Sequence, residues 1–528
     1  MTVSTQQMIY DAPDNLPLRE LKAWLSGSHS VTTEPEAKLM RVYLDTFDWR
    51  LLQSGSVLEA SFKDGRYLLT WRELQTGRIL INRMMRQVPR FAHDLSAPGL
   101  RDRLESVLGE RTLMPQVSVT SNTQTLCLHN NEEKTLLRVE LRHDHVLAPQ
   151  STGYFKLPTR VHLFPFRGYE PIYKKQLHQL TAKGRLRTIT EDPLLTALDF
   201  LEIRPAEFCN QPNVQLTPEQ PAYQALGNIL QGFLRILKQN VEGACQDKDP
   251  EFLHDFLTAA RRIQCLLNRF SPIFPEQELA LIRQDFGWIE QVTTSVRDID
   301  IYLSLYGDFA ARLDSVHRAA LRSLHQYLKE LKFKQQRQMR VSLESPRFNR
   351  LIQLFEQFLE HNLSRRNPPP AATKPILELA NTSILRLYRD LRTRGRGITA
   401  DSPTDELIEL HQICKRLGYQ MEIFRGLYPE KKISALIAGQ ERLESCLNRF
   451  HDLNLQHDAL LDYRTRMKQE QRVFPAGLEA IDLLVADRAK ERHIVQKQYA
   501  DRFEQLSKKK INKRFVSLFS DSSDRRKD

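Results

Sequence analysis

Cysteine is scarce and unpaired in this sequence: six residues, at 127, 209, 245, 265, 414 and 446, with no Cys-x-x-Cys among them. That spacing indicates neither a disulfide framework nor a zinc site, and the thiols are expected to be reduced. Long apolar runs are missing as well. Without a stretch of about 18 apolar residues no membrane-spanning helix is expected, and the opening MTVSTQQMIYDAPDN has neither the basic start nor the apolar centre of a secretory leader. A cytoplasmic protein is the resulting expectation. No nucleophile stands beside an evident base, so the reading that follows needs binding and no covalent chemistry.

What the chain does have is length, positive charge and a repeat. At 528 residues it is expected to hold more than one domain. The net charge is +12, and it is unevenly placed: residues 1–213 carry 27 Lys and Arg against 24 Asp and Glu, whereas 214–528 carry 50 against 41. Such a balance favours polyanionic partners without choosing among nucleic acid, a phosphate polymer and an anionic membrane. A step of 154 positions takes Arg261 to Lys415, Arg262 to Arg416, Phe270 to Phe424, Phe274 to Tyr428, Pro275 to Pro429 and Asp298 to Asp452. The same step takes Arg235 to Arg389 and Lys238 to Arg392. One register shared by cationic, aromatic, proline and acidic positions marks the duplication of a single helical unit.

Residues 1–204 read differently from the repeat. Between Val31 and His145 short segments alternate with the period of strands, among them SVLEASFK, QVSVTSNTQTLCL and TLLRVELRHD, interrupted by the helical stretch LRDRLESVLGE. Glu59, Ser61 and Lys63 share one face of the first, and Arg138, Glu140 and Arg142 share one face of the last. Charged faces on several strands fit an antiparallel sheet curled around a polar interior, as in a barrel or tunnel, and equally a sheet with one solvated face. Residues 146–204 are transitional and end in a helix near DPLLTALDFLEI. A proline-rich linker is expected at 205–221, a helical domain at 222–505 with copies at 222–366 and 374–505, and a basic, disordered tail at 506–528. The proline run NPPPAATKP separates the copies. The expected class is therefore α+β and multidomain: an antiparallel β domain followed by an all-α domain.

The candidate binding residues come from the duplicated helices. In DPEFLHDFLTAARRIQCLLNRF, apolar residues at 253, 256, 260, 263 and 267 form a core-facing stripe, while His254, Arg261 and Arg262 occupy adjacent azimuths beside it. The second copy places His411, Lys415 and Arg416 on one side of its helix. If the two copies pack about a pseudo-symmetry axis, both basic faces can line one groove, and guanidinium groups suit phosphate oxygens. The alternative is a pair of solvated faces, which need not keep their charge after duplication. Arg318, Arg322, His325, Lys329 and Lys332 form a further cationic ridge, and Arg235 with Lys238 and Arg389 with Arg392 add pairs on the first helix of each copy. Asp298 and Asp452 are expected to orient arginines, since one carboxylate per copy makes a poor metal site.

His254-Asp255 followed by Arg261-Arg262, then Arg297-Asp298-Ile299-Asp300, then Lys415-Arg416 with Tyr419, resembles the CHAD domain over roughly residues 220–500. The resemblance implies two pseudo-symmetric four-helix bundles that bind inorganic polyphosphate through histidines and basic residues. Leu257, Gln264, Ile408, His411 and Gly418 depart from that family's usual residues, which implies fewer cationic contacts and weaker binding. YLDTFDWRLLQSG, with Arg72, Arg83, Arg86 and Glu140, is similar to the CYTH domain of the triphosphate tunnel enzymes. Active members of that family hold a divalent metal on an E-x-E-x-K strand. Glu34-Pro35-Glu36-Ala37-Lys38 spells the pattern, but proline is poorly tolerated within a paired strand, so the domain is expected to be degenerate and non-catalytic. Non-catalytic polyphosphate binding is thus the leading expectation, in the cytoplasm or on polyphosphate granules and without a cofactor. A metal-dependent triphosphatase, which alone would need a divalent cation, and a nucleic-acid binder are the alternatives.

Overall fold

The computed structural model describes residues 8–520 apart from 26–28, 64, 96, 148–153, 167–168, 183–184, 190, 209 and 400. Cys209 in the expected linker and residues 521–528 of the expected tail lie outside the described residues. The chain divides into two compact units, Met1–Cys209 and Asn210–Asp528.

The first unit is built on one antiparallel sheet. Its strands are β1 (Met8–Asp11), β2 (Ser30–Thr33), β3 (Ala37–Asp45), β4 (Ser56–Lys63), β5 (Arg66–Glu73), β6 (Ile79–Met85), β7 (Met114–His129), β8 (Thr135–Leu147), β9 (Tyr154–Lys156), β10 (Arg160–Pro165) and β11 (Arg187–Thr188). The main path runs β11-β1-β10-β8-β7-β3-β4-β5-β6, with β2 paired to β7 and β9 to β8. It is a curled half-barrel whose end strands β6 and β11 do not meet. Helices α1 (Leu18–Leu25), α2 (Arg50–Gln53), α3 (Pro98–Leu108), α4 (Glu170–Thr181) and α5 (Pro193–Phe200) accompany the sheet. Alternation along β4 sets its faces: Leu58 and Ala60 are buried in a core with Leu69, Trp71 and Leu104, while Glu59 and Ser61 turn to the other side.

The YLDTFDWRLLQSG stretch has a local structural task. The Asp45 carboxylate accepts from the backbone N–H groups of Thr46, Leu51 and Leu52 at 2.7, 2.9 and 2.9 Å, which locks the turn between β3 and α2. Burial pushes its acid up to about 6 against the pull of those three bonds.

The second unit is helical and duplicated. Its helices are α6 (Ala222–Cys245), α7 (Pro250–Arg269), α8 (Glu276–Ala311), α9 (Ser315–Ala320), α10 (Arg322–Leu343), α11 (Pro346–Leu363), α12 (Pro370–Thr373), α13 (Ile376–Gly395), α14 (Thr404–Ile423), α15 (Glu430–Gln469), α16 (Pro475–Ser507) and α17 (Lys509–Phe519). The starts of α6, α7 and α8 recur in α13, α14 and α15 at the step of 154. Equivalent residues meet on a pseudo-twofold axis. Pro221 bridges to Pro375, Ala222 N–H donates to Lys374 O at 2.9 Å, and Ile376 N–H donates to Gln220 O at 2.8 Å. Phe270 and Phe424 pack edge to face at 6.0 Å on the same axis. Farther out, α8 with α10 and α15 with α16 share a core that includes Phe309, Leu328, Leu460 and Leu484.

The end of the chain differs from the expected disordered tail, because α17 completes the second copy. Phe358 of α11 packs on Phe274 at 5.5 Å, and Phe519 of α17 packs on the equivalent Tyr428 at 5.0 Å. Phe515 also stacks on Tyr388 at 3.7 Å. Ile511, Phe515 and Phe519 stand four residues apart in KKINKRFVSLF, so they form one stripe that the surrounding lysines and arginines obscure in composition. Replacing both buried phenylalanines by alanine is expected to cost about 3–5 kcal/mol per ring. Urea unfolding measures this, and an unchanged midpoint for F515A/F519A would remove α17 from the fold.

Candidate functional site

A cavity of about 640 Å³ opens between α7 and α14, with Glu290 of α8, Leu387 of α13 and His451 of α15 completing its wall. The site is made by helical period: Arg261, Cys265, Asn268 and Arg269 recur on one face of α7, and His411, Lys415, Arg416 and Tyr419 on one face of α14. The axis then turns the two faces toward each other. Arg261 and Lys415, equivalents across the repeat, share the cavity. Arg261 Nε donates to Glu290 at 2.8 Å, Arg269 Nε to Ser383 Oγ at 2.6 Å, and an Arg416 N–H to Gln412 Oε1 at 3.3 Å. Among the described lining residues, four cations stand with one carboxylate, Glu290, while Glu444 and Asp452 behind the wall also act on Lys415. The side chains of the Arg261–Glu290 pair are 38% and 42% exposed, so that ion pair is weak and readily exchanged for a bound anion.

The cavity histidines are neutral at pH 7. His411 is buried; its Nε2 donates to Asn448 Oδ1 at 2.5 Å and its ring lies 4.7 Å from that of His451. Burial draws His411 down to about 4, with His451 and Lys415 adding to the shift and Asn448 opposing it. His254, predicted with His411, is exposed and does not line the cavity, yet the protein around it and then the charges of Arg297, Lys415 and Arg261 hold it at about 4 as well. His451 is lowered by burial and by Lys415 and Arg261, against Asp452. Burial raises Asp298 and Asp452, against the charges of Arg261 and Arg297 for the first and of His451, Arg449 and Lys415 for the second.

The remaining sequence candidates are dispersed. Arg262 is buried behind Tyr419, bonded to Glu422 at 3.1 Å, and does not line the cavity. Arg297 stands close enough to His254 for its charge to be felt there. Arg235 and Lys238 are exposed on α6, Lys238 pairing with Glu356 at 2.6 Å. Arg389 is exposed on α13, and Arg392 bonds Asn512 of α17. Arg322 is exposed at the start of α10. Along the same ridge Lys332 pairs with Asp300 at 2.7 Å and His325 stacks on Tyr306 at 4.1 Å. Arg269 and His451 were missed in the sequence. Arg269 lies eight residues beyond Arg261, a helical neighbour, but its equivalent is Ile423; His451 is the equivalent of Arg297. A search for charge retained between copies passes over both.

The half-barrel of the first unit encloses a cavity of about 650 Å³, lined by Glu34, Glu36, Glu59, Arg41, Glu140 and Arg142 among others. Most of its carboxylates face arginines, and Glu36 accepts from Gln124 at 3.4 Å. Arg138 bonds Glu34 at 2.9 Å and Glu140 at 3.2 Å, Arg142 bonds Glu140 at 2.6 Å, and Arg41 bonds Asp144. Burial would raise Glu140, but Arg142, Arg138 and Arg41 hold it below the ordinary carboxylate range. Arg83 and Arg86 are outside the lining, and Arg72 is locked in a buried pair with Asp192 at 3.0 Å. Among the described residues no three His, Cys, Asp or Glu side chains gather as metal ligands. A donor set already neutralised by guanidinium groups does not fit a divalent cation.

The neutral histidines give a titration with a definite sign. A histidine held at about 4 when folded contributes stability that is present above its ordinary value of 6.5 and is lost as pH falls through about 4. Ring-proton NMR of the full chain should give His411 a midpoint near 4, and a midpoint near 6.5 would contradict the burial described.

No curated protein matches the chain. Among solved structures it is similar to the CHAD domain from the plant Ricinus communis, at 19% identity, covering 56% of this chain and 96% of that one with a TM-score of 0.48. PptA from Streptomyces chartreusis is 15% identical, over 54% of this chain and 99% of that one, with a TM-score of 0.43. HpAC1 from Hippeastrum, described as having a dominant triphosphatase activity, is 14% identical over 37% of this chain and 95% of its own, with a TM-score of 0.24. No helix among the described residues is long and apolar enough to cross a membrane. The CHAD domain family matches residues 228–461, the stretch that runs from α6 into α15 and contains every wall of the helical cavity, and this part of the chain is a CHAD domain.

Proposed function

We propose that the helical unit binds inorganic polyphosphate without catalysis in the cavity between α7 and α14. The observation that carries this reading is the convergence of Arg261, Arg269, Lys415 and Arg416 on one open cavity, where Glu290 is the one carboxylate among the described lining residues. Membership of residues 228–461 in the CHAD family supports it, since that family is associated with polyphosphate. A polyphosphate chain offers closely spaced anionic oxygens, which suit guanidinium forks and a lysine ammonium held at fixed separations. His411, whose one ring proton in the neutral form is held by Asn448, would donate to the anion only by taking up a second proton as the anion arrives. Association with polyphosphate granules follows from the same chemistry.

The aromatic residues argue against single-stranded nucleic acid. Phe270 and Phe424 are consumed by each other at the axis, and the Tyr419 ring is covered by Arg262 at 5.1 Å and Lys415 at 5.8 Å. Among the described lining residues no free stacking platform for bases stands beside these cations.

Titration of the full chain with long-chain polyphosphate tests the proposal. With four phosphate contacts, log affinity should fall with log salt at a slope of about −3. R261A/R269A/K415A/R416A should bind at least about 100-fold more weakly, because charge-assisted bonds contribute about 1.5–3 kcal/mol each. Unchanged affinity in a variant with the parent's circular dichroism would refute the assignment, and preference for single-stranded RNA at equal charge would replace the ligand.

A further inference from the structure

The cavity is open on only one side of the pseudo-twofold axis, although the duplication generates two equivalent lobes. On the open side stand Arg416, Asn268, Arg269, Leu387 and, donated to by Arg269, Ser383. The step of 154 converts these into Arg262, Glu422, Ile423, Phe233 and Ile229, and those five residues line a remnant of about 40 Å³, room for a single water.

Three devices close the second lobe. Gln211, Pro212 and Val214, just before α6, lie across it as a strap. The strap is seated by Gly232: a Cβ at that position would come within 2.4 Å of Pro212 Cβ, whereas the equivalent position on the open side is Arg386. Tyr419, whose ring lies under the Arg262 guanidinium at 5.1 Å, stands between that group and the shared cavity it lines, where the open side has the smaller Cys265. Glu422 supplies from within the negative charge that Asn268 cannot, bonding Arg262 at 3.1 Å. Arg262 is nevertheless incompletely served, because its Nε is buried with no hydrogen-bond acceptor. The closed lobe thus retains the cation of a phosphate site together with an unmet donor.

We infer that this protein carries a second, latent phosphate subsite centred on Arg262, closed in the native chain by the strap Gln211–Val214 and by Glu422. The inference rests on the polyphosphate reading of the open lobe for its ligand class. Its consequence in the native protein is asymmetric: a short polyphosphate enters from the Arg416 side alone. The closed lobe opens only when the strap leaves Gly232 and Glu422 gives up Arg262.

Calorimetric titration with tripolyphosphate compares the full-length parent with a variant carrying Pro212→Gly, Glu422→Asn and Ile423→Arg, which copies the open lobe onto the closed one. The parent should take one tripolyphosphate and the variant two, the added site disappearing when Arg262→Ala is included. A parent that takes none beside a variant that takes one, lost with Arg262→Ala, would sink the polyphosphate reading of the open lobe while sustaining the latent site. A folded variant with no gain, or a parent already binding two with one lost on Arg262→Ala, overturns the inference. If the variant does not fold, phenylglyoxal labelling of the parent decides: the closed lobe requires Arg416 to react faster than Arg262, and equal rates overturn it.

Discussion

Everything proposed for the helical unit depends on one contact between equivalents, the bridge of Pro221 to Pro375 with its paired hydrogen bonds and the edge-to-face packing of Phe270 on Phe424. A self-complementary interface of this kind turns any feature of one copy toward the same feature of the other. Arg261 and Lys415 face one cavity for that reason. The aromatic pair is buried, so the axis is fixed by packing of the apolar core, and the charged faces are carried into place by it.

Divergence after duplication then gave the cavity its polarity. Asn268 beside Arg416, where the other copy has Glu422 beside Arg262, leaves one arginine without an internal carboxylate and the other neutralised. Gly232 and Arg386 show the same choice made in volume: one position admits a proline strap and the other holds a cation. In the half-barrel Arg138 and Arg142 likewise neutralise Glu34 and Glu140.

Much of this was legible in the sequence, and the residues show why the rest was not. The repeat, β4, α3, α5 and the shared faces of Glu59 with Ser61 and of Arg138, Glu140 and Arg142 follow from periodicity; that these faces line a cavity, and not a solvated side, comes from the curl of the sheet. Strand β10 was missed because it lies in the transitional stretch, buried along most of its length and lacking alternation. Helix α17 is hidden in the composition of a basic tail, which averages over its three-residue apolar stripe. Adjacent azimuth put Arg261 and Arg262 in one site. Yet a step of about 100° around the helix is enough to send the second behind Tyr419.

The central claim is that residues 154 apart act on the same anion. A double-mutant cycle with R261A, K415A and the pair, read as affinity for tripolyphosphate, measures it directly. Non-additivity of about 0.5–3 kcal/mol is the result predicted for two cations on one ligand, whereas additivity within about 0.3–0.5 kcal/mol would place them in independent environments and contradict the account.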